Sequence, residues 1–146
     1  MKVLNFVMIA LLCVMTMGLA SCGDDNYYTI QNSDEKLCGK KWVEQYTNDE
    51  GNLCIHQLEF TKVKQNNKDI LSGKETTVTY IVGGTNTTTA DFTWQWIDTS
   101  MEGLLLNYGN GDVEHFGNVW VREHYLSGKL GENVIVLTDL ASLIKK

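Results

Sequence analysis

The residues able to do chemistry are few and scattered. Histidine occurs only as His56, His115 and His124. Such imidazoles serve as metal ligands or general bases, or simply sit on a strand face or the surface. His115 and His124 fall on neighbouring expected strands beside Glu114 and Glu123, but no Cys/His spacing typical of zinc accompanies them. The chain lacks Gly-x-Ser-x-Gly, His-Glu-x-x-His and phosphate-loop patterns, and no serine has an evident base beside it. Serine hydrolysis, zinc-dependent proteolysis and nucleotide transfer are thus left without their machinery. Asp49-Glu50 and Asp112-x-Glu114 have the acids to hold calcium, but at hairpin turns they are also what a solvated loop contains. Asp91, Asp98 and Glu102 flank an aromatic segment without pairing as glycoside hydrolysis requires. No catalytic residue, metal or cofactor is expected. The aromatic set is the strongest lead: Phe92, Trp94 and Trp96 alternate onto one strand face, and Trp42 and Trp120 can join them across a fold. Rings of this size form either a Trp-rich core or the wall of a cavity or stacking platform for a lipid, a sugar or a partner. These five are the candidate ligand-binding residues.

Cysteine chemistry points to an address. Lys2 is followed by a nearly uninterrupted apolar run from 4 to 18, the basic and apolar regions of a secretory signal. The alternative, a retained transmembrane anchor, needs ~20 apolar residues, and the run falls short. Leu19-Ala20-Ser21-Cys22 resembles the lipobox of bacterial lipoproteins. That resemblance implies a thioether-linked diacylglycerol on Cys22, cleavage of residues 1–21 and acylation of the new amine, which together meet the requirement for more than one lipid chain. Gly23-Asp24-Asp25 after the cysteine is similar to lipoproteins of the Bacteroidetes group, which implies an outer-membrane location with the periplasmic or outward face left open. Residues 22–36 are polar and acidic and are expected to be a flexible tether. Cys38 and Cys54 then remain in a compartment that permits oxidation. They form either a disulfide, worth ~3 kcal/mol by chain entropy, or two buried free thiols.

The elements that must position these groups are strands. Segments 41–47, 53–63, 75–82, 91–98, 104–108, 112–123, 124–130 and 133–138 alternate in hydrophobicity or are rich in β-formers. Stretch 64–74 is polar and reads as a loop, and the Thr/Asn run 85–89 reads as the end of a strand. Asn110-Gly111 between two strand patterns is a strong hairpin signal, and Gly131-Glu132 turns the last hairpin. In 112–123, Phe116 and Trp120 are out of phase with Val113, Val119 and Val121, so both faces carry apolar groups. Leu140, Leu143 and Ile144 suit a short terminal helix. No helix-period segment separates the strands, which excludes parallel βαβ units. An antiparallel eight-stranded meander closes its edges as a barrel; a β-sandwich is the alternative.

Leu37-Cys38-Gly39-Lys40-Lys41-Trp42 at the first strand, with the order of elements that follows, resembles the lipocalin-like (calycin) lipoproteins common in Bacteroidetes. Lipocalins carry Gly-x-Trp there, whose Trp plugs the closed end; this chain has Gly39-x-x-Trp42, one residue longer. The resemblance covers roughly 37–140 and implies a barrel domain, 37–146, with a cavity for an apolar ligand.

Composition agrees with one domain: 146 residues, 43% hydrophobic and 21% charged, without proline. A net charge of −6 with scattered acids repels a phosphate backbone, so nucleic acid is not an expected partner. The expectation is a membrane-anchored, non-enzymatic binding protein for a small apolar or amphipathic ligand. Its rival is a structural or interaction module bound to another cell-envelope protein. An enzyme would need a cleft of convergent carboxylates or histidines, which spacing alone does not display.

Overall fold

Successive side chains of a strand point to opposite faces, and here that alternation wraps one face inward. The computed structural model describes residues 30–144; Cys22, the leader and most of the expected tether lie outside them. The unit Asn32–Lys146 contains β1 (Lys41–Thr47), β2 (Leu53–Gln65), β3 (Lys68–Ile81), β4 (Gly84–Trp96), β5 (Leu104–Gly109), β6 (Asp112–Val121), β7 (Tyr125–Leu130) and β8 (Asn133–Asp139). A short α1 (Asp34–Leu37) precedes them and α2 (Leu140–Ile144) follows. Every strand pairs antiparallel with its neighbour in sequence, and β8 returns to β1 through Trp42 opposite Asp139. The result is a closed eight-stranded meander barrel, so the barrel expectation holds and the sandwich does not. Among the described residues no helix is long and apolar enough to cross a membrane.

One half of the interior is solid. Trp42, Leu58, Phe60, Phe92, Trp94, Leu104, Leu106, Phe116, Leu126 and Leu137 form a continuous buried cluster. Phe60 meets Phe92 and Trp94 edge-on, with centroids 5.4 and 5.9 Å apart, the arrangement favoured by ring quadrupoles. Gly73 stands directly opposite Phe92, and a Cβ there would overlap the Phe92 ring and stand 2.6 Å from the Glu59 carbonyl. Only glycine admits the ring at that height.

The folded unit starts earlier than Leu37, inside the stretch expected to be tether. Asn32 is buried. Its amide donates to the carbonyls of Met101 and Val119, both at 2.6 Å, and its Oδ1 accepts from the Val121 N–H at 2.8 Å. Ser33 caps α1 by accepting from the Lys36 N–H, and Asp34 binds Lys62 at 2.7 Å. Two indoles hold this segment against the barrel end: Trp42 donates to the Leu37 carbonyl at 2.9 Å and Trp96 to Asp34 at 2.7 Å. A polar run read as solvated is therefore the plug of the closed end, because its polar atoms satisfy backbone groups left open by the 97–103 and 117–121 segments.

Three local expectations change. Segment 64–74 is not a loop: β2 and β3 run through it and turn at Asn66 and Asn67, both at positive φ (50° and 58°), as a tight hairpin turn requires. It is polar because this hairpin end is exposed on both faces. The Thr/Asn run 85–89 is the first half of β4, paired to β3. In β6 the register shifts between Gly117 and Trp120, where Asn118 has φ 50°. A bulge of this kind moves the inward phase by one residue, so Phe116, Val119 and Val121 are all buried while Trp120 points out. The Asn110-Gly111 turn forms as expected, both residues at positive φ.

Candidate functional site

The other half of the interior carries different chemistry on the same inward positions. Continuing β1 inward from Trp42 gives Glu44 and Tyr46; on β2, the inward series Phe60 and Leu58 continues as His56 and Cys54. Glu75 on β3 lies opposite Leu58, and Glu114 on β6 lies opposite Leu106. Glu44, His56, Glu75 and Glu114 line a cavity of about 450 Å³ at the barrel mouth, with Tyr46, Thr77, Leu130, Asn133, Val134 and Ile135 completing its wall.

His56 is the centre of this site. Its Nδ1 stands 2.8 Å from Glu44 Oε1 and its Nε2 2.7 Å from Glu75 Oε1. Since both ring nitrogens face carboxylate oxygens, both donate, and the ring is an imidazolium. Burial works against that charge, but the hydrogen bonds to Glu44 and Glu75 outweigh it and push the pKa up to about 9. Glu75 is held below the ordinary carboxylate range, by His56 first and, against burial, by Tyr108, whose hydroxyl donates to Oε2 at 2.7 Å. The Tyr108 hydroxyl is pushed up by burial and by Glu75. Glu114 has no such partner: burial raises its pKa, and the charges of Glu75 and Asp112 raise it further. The mouth thus has three carboxyl groups against one imidazolium, with apolar Leu130, Val134 and Ile135 beside them.

The residues expected to line a cavity are placed differently. Trp42, Phe92 and Trp94 are buried in the closed half, where their rings fill the space instead of bounding it. Trp94 donates to the Ser72 and Thr61 carbonyls at 3.0 and 3.2 Å. Trp96 is half-buried and tied to Asp34. Trp120 is 53% exposed on the outer wall, with the Arg122 guanidinium 4.7 Å from its ring centre. The five aromatics do not converge on one ligand site.

Of the two alternatives for the remaining cysteines, the structure has the free thiols: Cys38 is partly buried and Cys54 buried. Cys38 precedes Gly39, which bonds to Phe60 at the closed end, while Cys54 begins β2 near the mouth. Six residues of strand, about 20 Å, separate those levels, far beyond the ~7 Å that a disulfide spans. Burial pushes the Cys38 thiol up to about 11. Among the described residues no cluster of His, Cys, Asp and Glu is arranged to hold a metal ion, and His124 is exposed, with only Glu123 near it at 3.8 Å.

Sequence reasoning assigned no site role to Glu44, Glu75, Tyr46 or Tyr108, and read Glu114 only as a neighbour of His115 and an acid of a hairpin turn. Their signal was available in phase: Glu44 alternates with Trp42 and Tyr46, and His56 with Leu58 and Phe60, so ionisable groups stood on the core face of two adjacent strands. An ionisable group on an inward face needs a partner across the strand, and Glu44 opposite His56 is that pair.

Comparison of the chain with protein-family models, curated proteins and solved structures yields no match.

Proposed function

We propose that this protein is a non-enzymatic binding protein, anchored by lipid on Cys22 to a bacterial outer membrane, that takes a small amphipathic ligand by its basic group. The observation that carries this reading is the excess of carboxyl groups at the mouth: Glu44, Glu75 and Glu114 surround a single imidazolium beside Leu130, Val134 and Ile135. A cation entering there replaces lost hydration with carboxylate oxygens, and its hydrocarbon part covers the apolar wall. An anion, such as a fatty-acid carboxylate, meets repulsion. A wholly apolar ligand would leave the carboxylates desolvated without a partner, so the amphipathic alternative is favoured over the apolar one.

Binding is favoured over catalysis because the site's groups are committed to one another. Both His56 nitrogens and both Glu75 oxygens are engaged, so neither residue is free to exchange a proton with a substrate. Calorimetric titration with n-octylammonium and with octanoate tests the reading. Saturable binding of the amine alone is expected, weakened about tenfold in Glu114→Gln as one charge-assisted contact is removed. Equal binding of octanoate, or no binding of the amine, contradicts it. Mass spectrometry of the membrane-extracted protein tests the anchor, with acylated Cys22 as the expected N-terminal residue.

A further inference from the structure

Charge is sorted between the two ends of the barrel. The turns at the mouth, 48–52, 82–83, 110–111 and 131–132, contain Asp49, Glu50 and Glu132 and no Lys or Arg; Lys129 reaches Glu132 from β7 at 3.3 Å. Glu44, Glu75 and Glu114 line the cavity beside them. At the closed end acids meet bases. Lys62 binds Asp34 and Asp69 at 2.7 and 3.3 Å, and Lys64, Lys68 and Arg122 offset Asp98, Glu102 and Glu123. A layer of lipid phosphates repels the first surface and accepts the second.

The closed end also exposes side chains that lipid interfaces favour. Trp120 on β6 and Tyr125 on β7 are exposed, next to the Val121–Leu126 pair that joins those strands, and the Arg122 guanidinium covers the Trp120 ring at 4.7 Å. The His124 carbonyl accepts from the Asp139 N–H at 2.9 Å. That bond ties the β6–β7 turn to the end of β8, where α2 begins and exposes Leu143 and Ile144. Indole and phenol rings settle at headgroup level, guanidinium binds phosphate, and aliphatic groups go deeper. Asn32 locates this corner relative to Cys22. It bonds Val119 and Val121, on either side of Trp120, so the chain coming from Cys22 meets the barrel here. The ten residue steps from Cys22 to Asn32 reach at most about 35 Å by any path. A lipid on Cys22 therefore keeps the Trp120 corner within that distance of the bilayer.

We propose that the corner formed by β6, β7 and α2 at the closed end docks on the bilayer that holds the anchor. Trp120 and Tyr125 then sit among the headgroups, Leu143 and Ile144 face the acyl chains, and the acidic mouth turns toward water. The proposal rests on the lipid anchor at Cys22 and not on amine recognition. A bilayer fits better than another protein because the anchor already holds it within reach of this corner, and because only this end of the barrel balances its acids. Docked so, the mouth stands about 20 Å further along β1, open to a ligand arriving from solution.

Quenching of tryptophan emission by lipids brominated in their acyl chains tests the docking. The protein is extracted from membranes and reconstituted into vesicles of phosphatidylethanolamine and phosphatidylglycerol. Trp42 and Trp94 are buried and Trp96 is half-buried, so Trp120 is expected to supply most of the quenching, and Trp120→Phe to lower it at least about threefold. Val82→Trp at the mouth, added to Trp120→Phe, is expected to restore none of it. Ile144→Glu, which sets a charge in the docked face, is expected to lower the quenching about twofold or more. Vesicle flotation separates the two ways of failing. Protein that floats while Trp120→Phe is quenched like the wild type, or while a tryptophan at 82 is quenched as strongly as Trp120, overturns the docking and leaves the anchor standing. Protein that does not float, with Cys22 unacylated by mass spectrometry, overturns the anchor and the docking with it.

Discussion

The two ends of the barrel are built on the same strands and the same alternation, yet they hold opposite chemistry. At the closed end the inward positions are Trp42, Leu58, Phe60, Trp94, Leu104 and Leu137, all buried, and Asn32 and α1 seal the opening. A few residues along β1 and β2 the inward positions become Glu44, Tyr46 and His56, and the interior opens. Burial of large rings stabilises the fold. Desolvated carboxyl groups contribute little to stability on their own, and they stand at the mouth, where the cavity opens. On the proposed reading, a small barrel separates stability from recognition by distance along its axis.

Substitutions break this contrast most sharply at the closed end. Trp42→Ala removes the largest fully buried side chain and the hydrogen bond to Leu37, and is expected to destabilise by about 3–5 kcal/mol in denaturant titrations. A comparable loss from Trp120→Ala would erase the distinction between the buried and exposed indoles; on the outer wall about 1 kcal/mol or less is expected.

The mouth contributes through charge, and its signature is pH. The folded pKa of His56, about 9, stands above its ordinary 6.5. Its contribution, of order 3 kcal/mol, is therefore complete below about pH 6.5 and lost as pH rises through about 9. Glu75, lowered in the folded state, acts at the other limit, its contribution being lost as pH falls below the ordinary carboxylate range. Denaturation midpoints measured across alkaline pH are expected to fall between pH 6.5 and 9 in the wild type, and to fall less in His56→Gln.

Smaller effects sharpen the boundary between the two halves. Asn32→Ala leaves the Val121 N–H and the Met101 and Val119 carbonyls without their partner, at a cost of about 1–3 kcal/mol. Gly73→Ala forces the Phe92 ring aside, for about 1–3 kcal/mol. Both are readable by thermal unfolding, and neither is expected to change affinity for octylammonium.

Alternation made the strands and their order legible, and the Asn110-Gly111 pair marked its hairpin. It failed where strands leave the barrel: at Asn66-Asn67 and along 84–90 both faces are solvated, so no hydrophobic period exists to be read. Trp120 was misplaced because the Asn118 bulge inverts the phase within one strand, and a bulge leaves no mark in composition. The site stayed hidden for another reason: Glu44, Glu75 and His56 come from three strands, and their convergence depends on register. Asn32 and Asp34 were read as tether because polar residues that satisfy a backbone resemble polar residues that face water.

The most direct test of the division between a filled end and a recognising end is methyl NMR during titration with n-octylammonium. Shifts at Leu130, Val134 and Ile135, with Leu58, Leu104 and Leu137 unmoved, are expected. Shifts centred on the closed-end leucines would mean that the ligand enters the packed half, and would contradict the account.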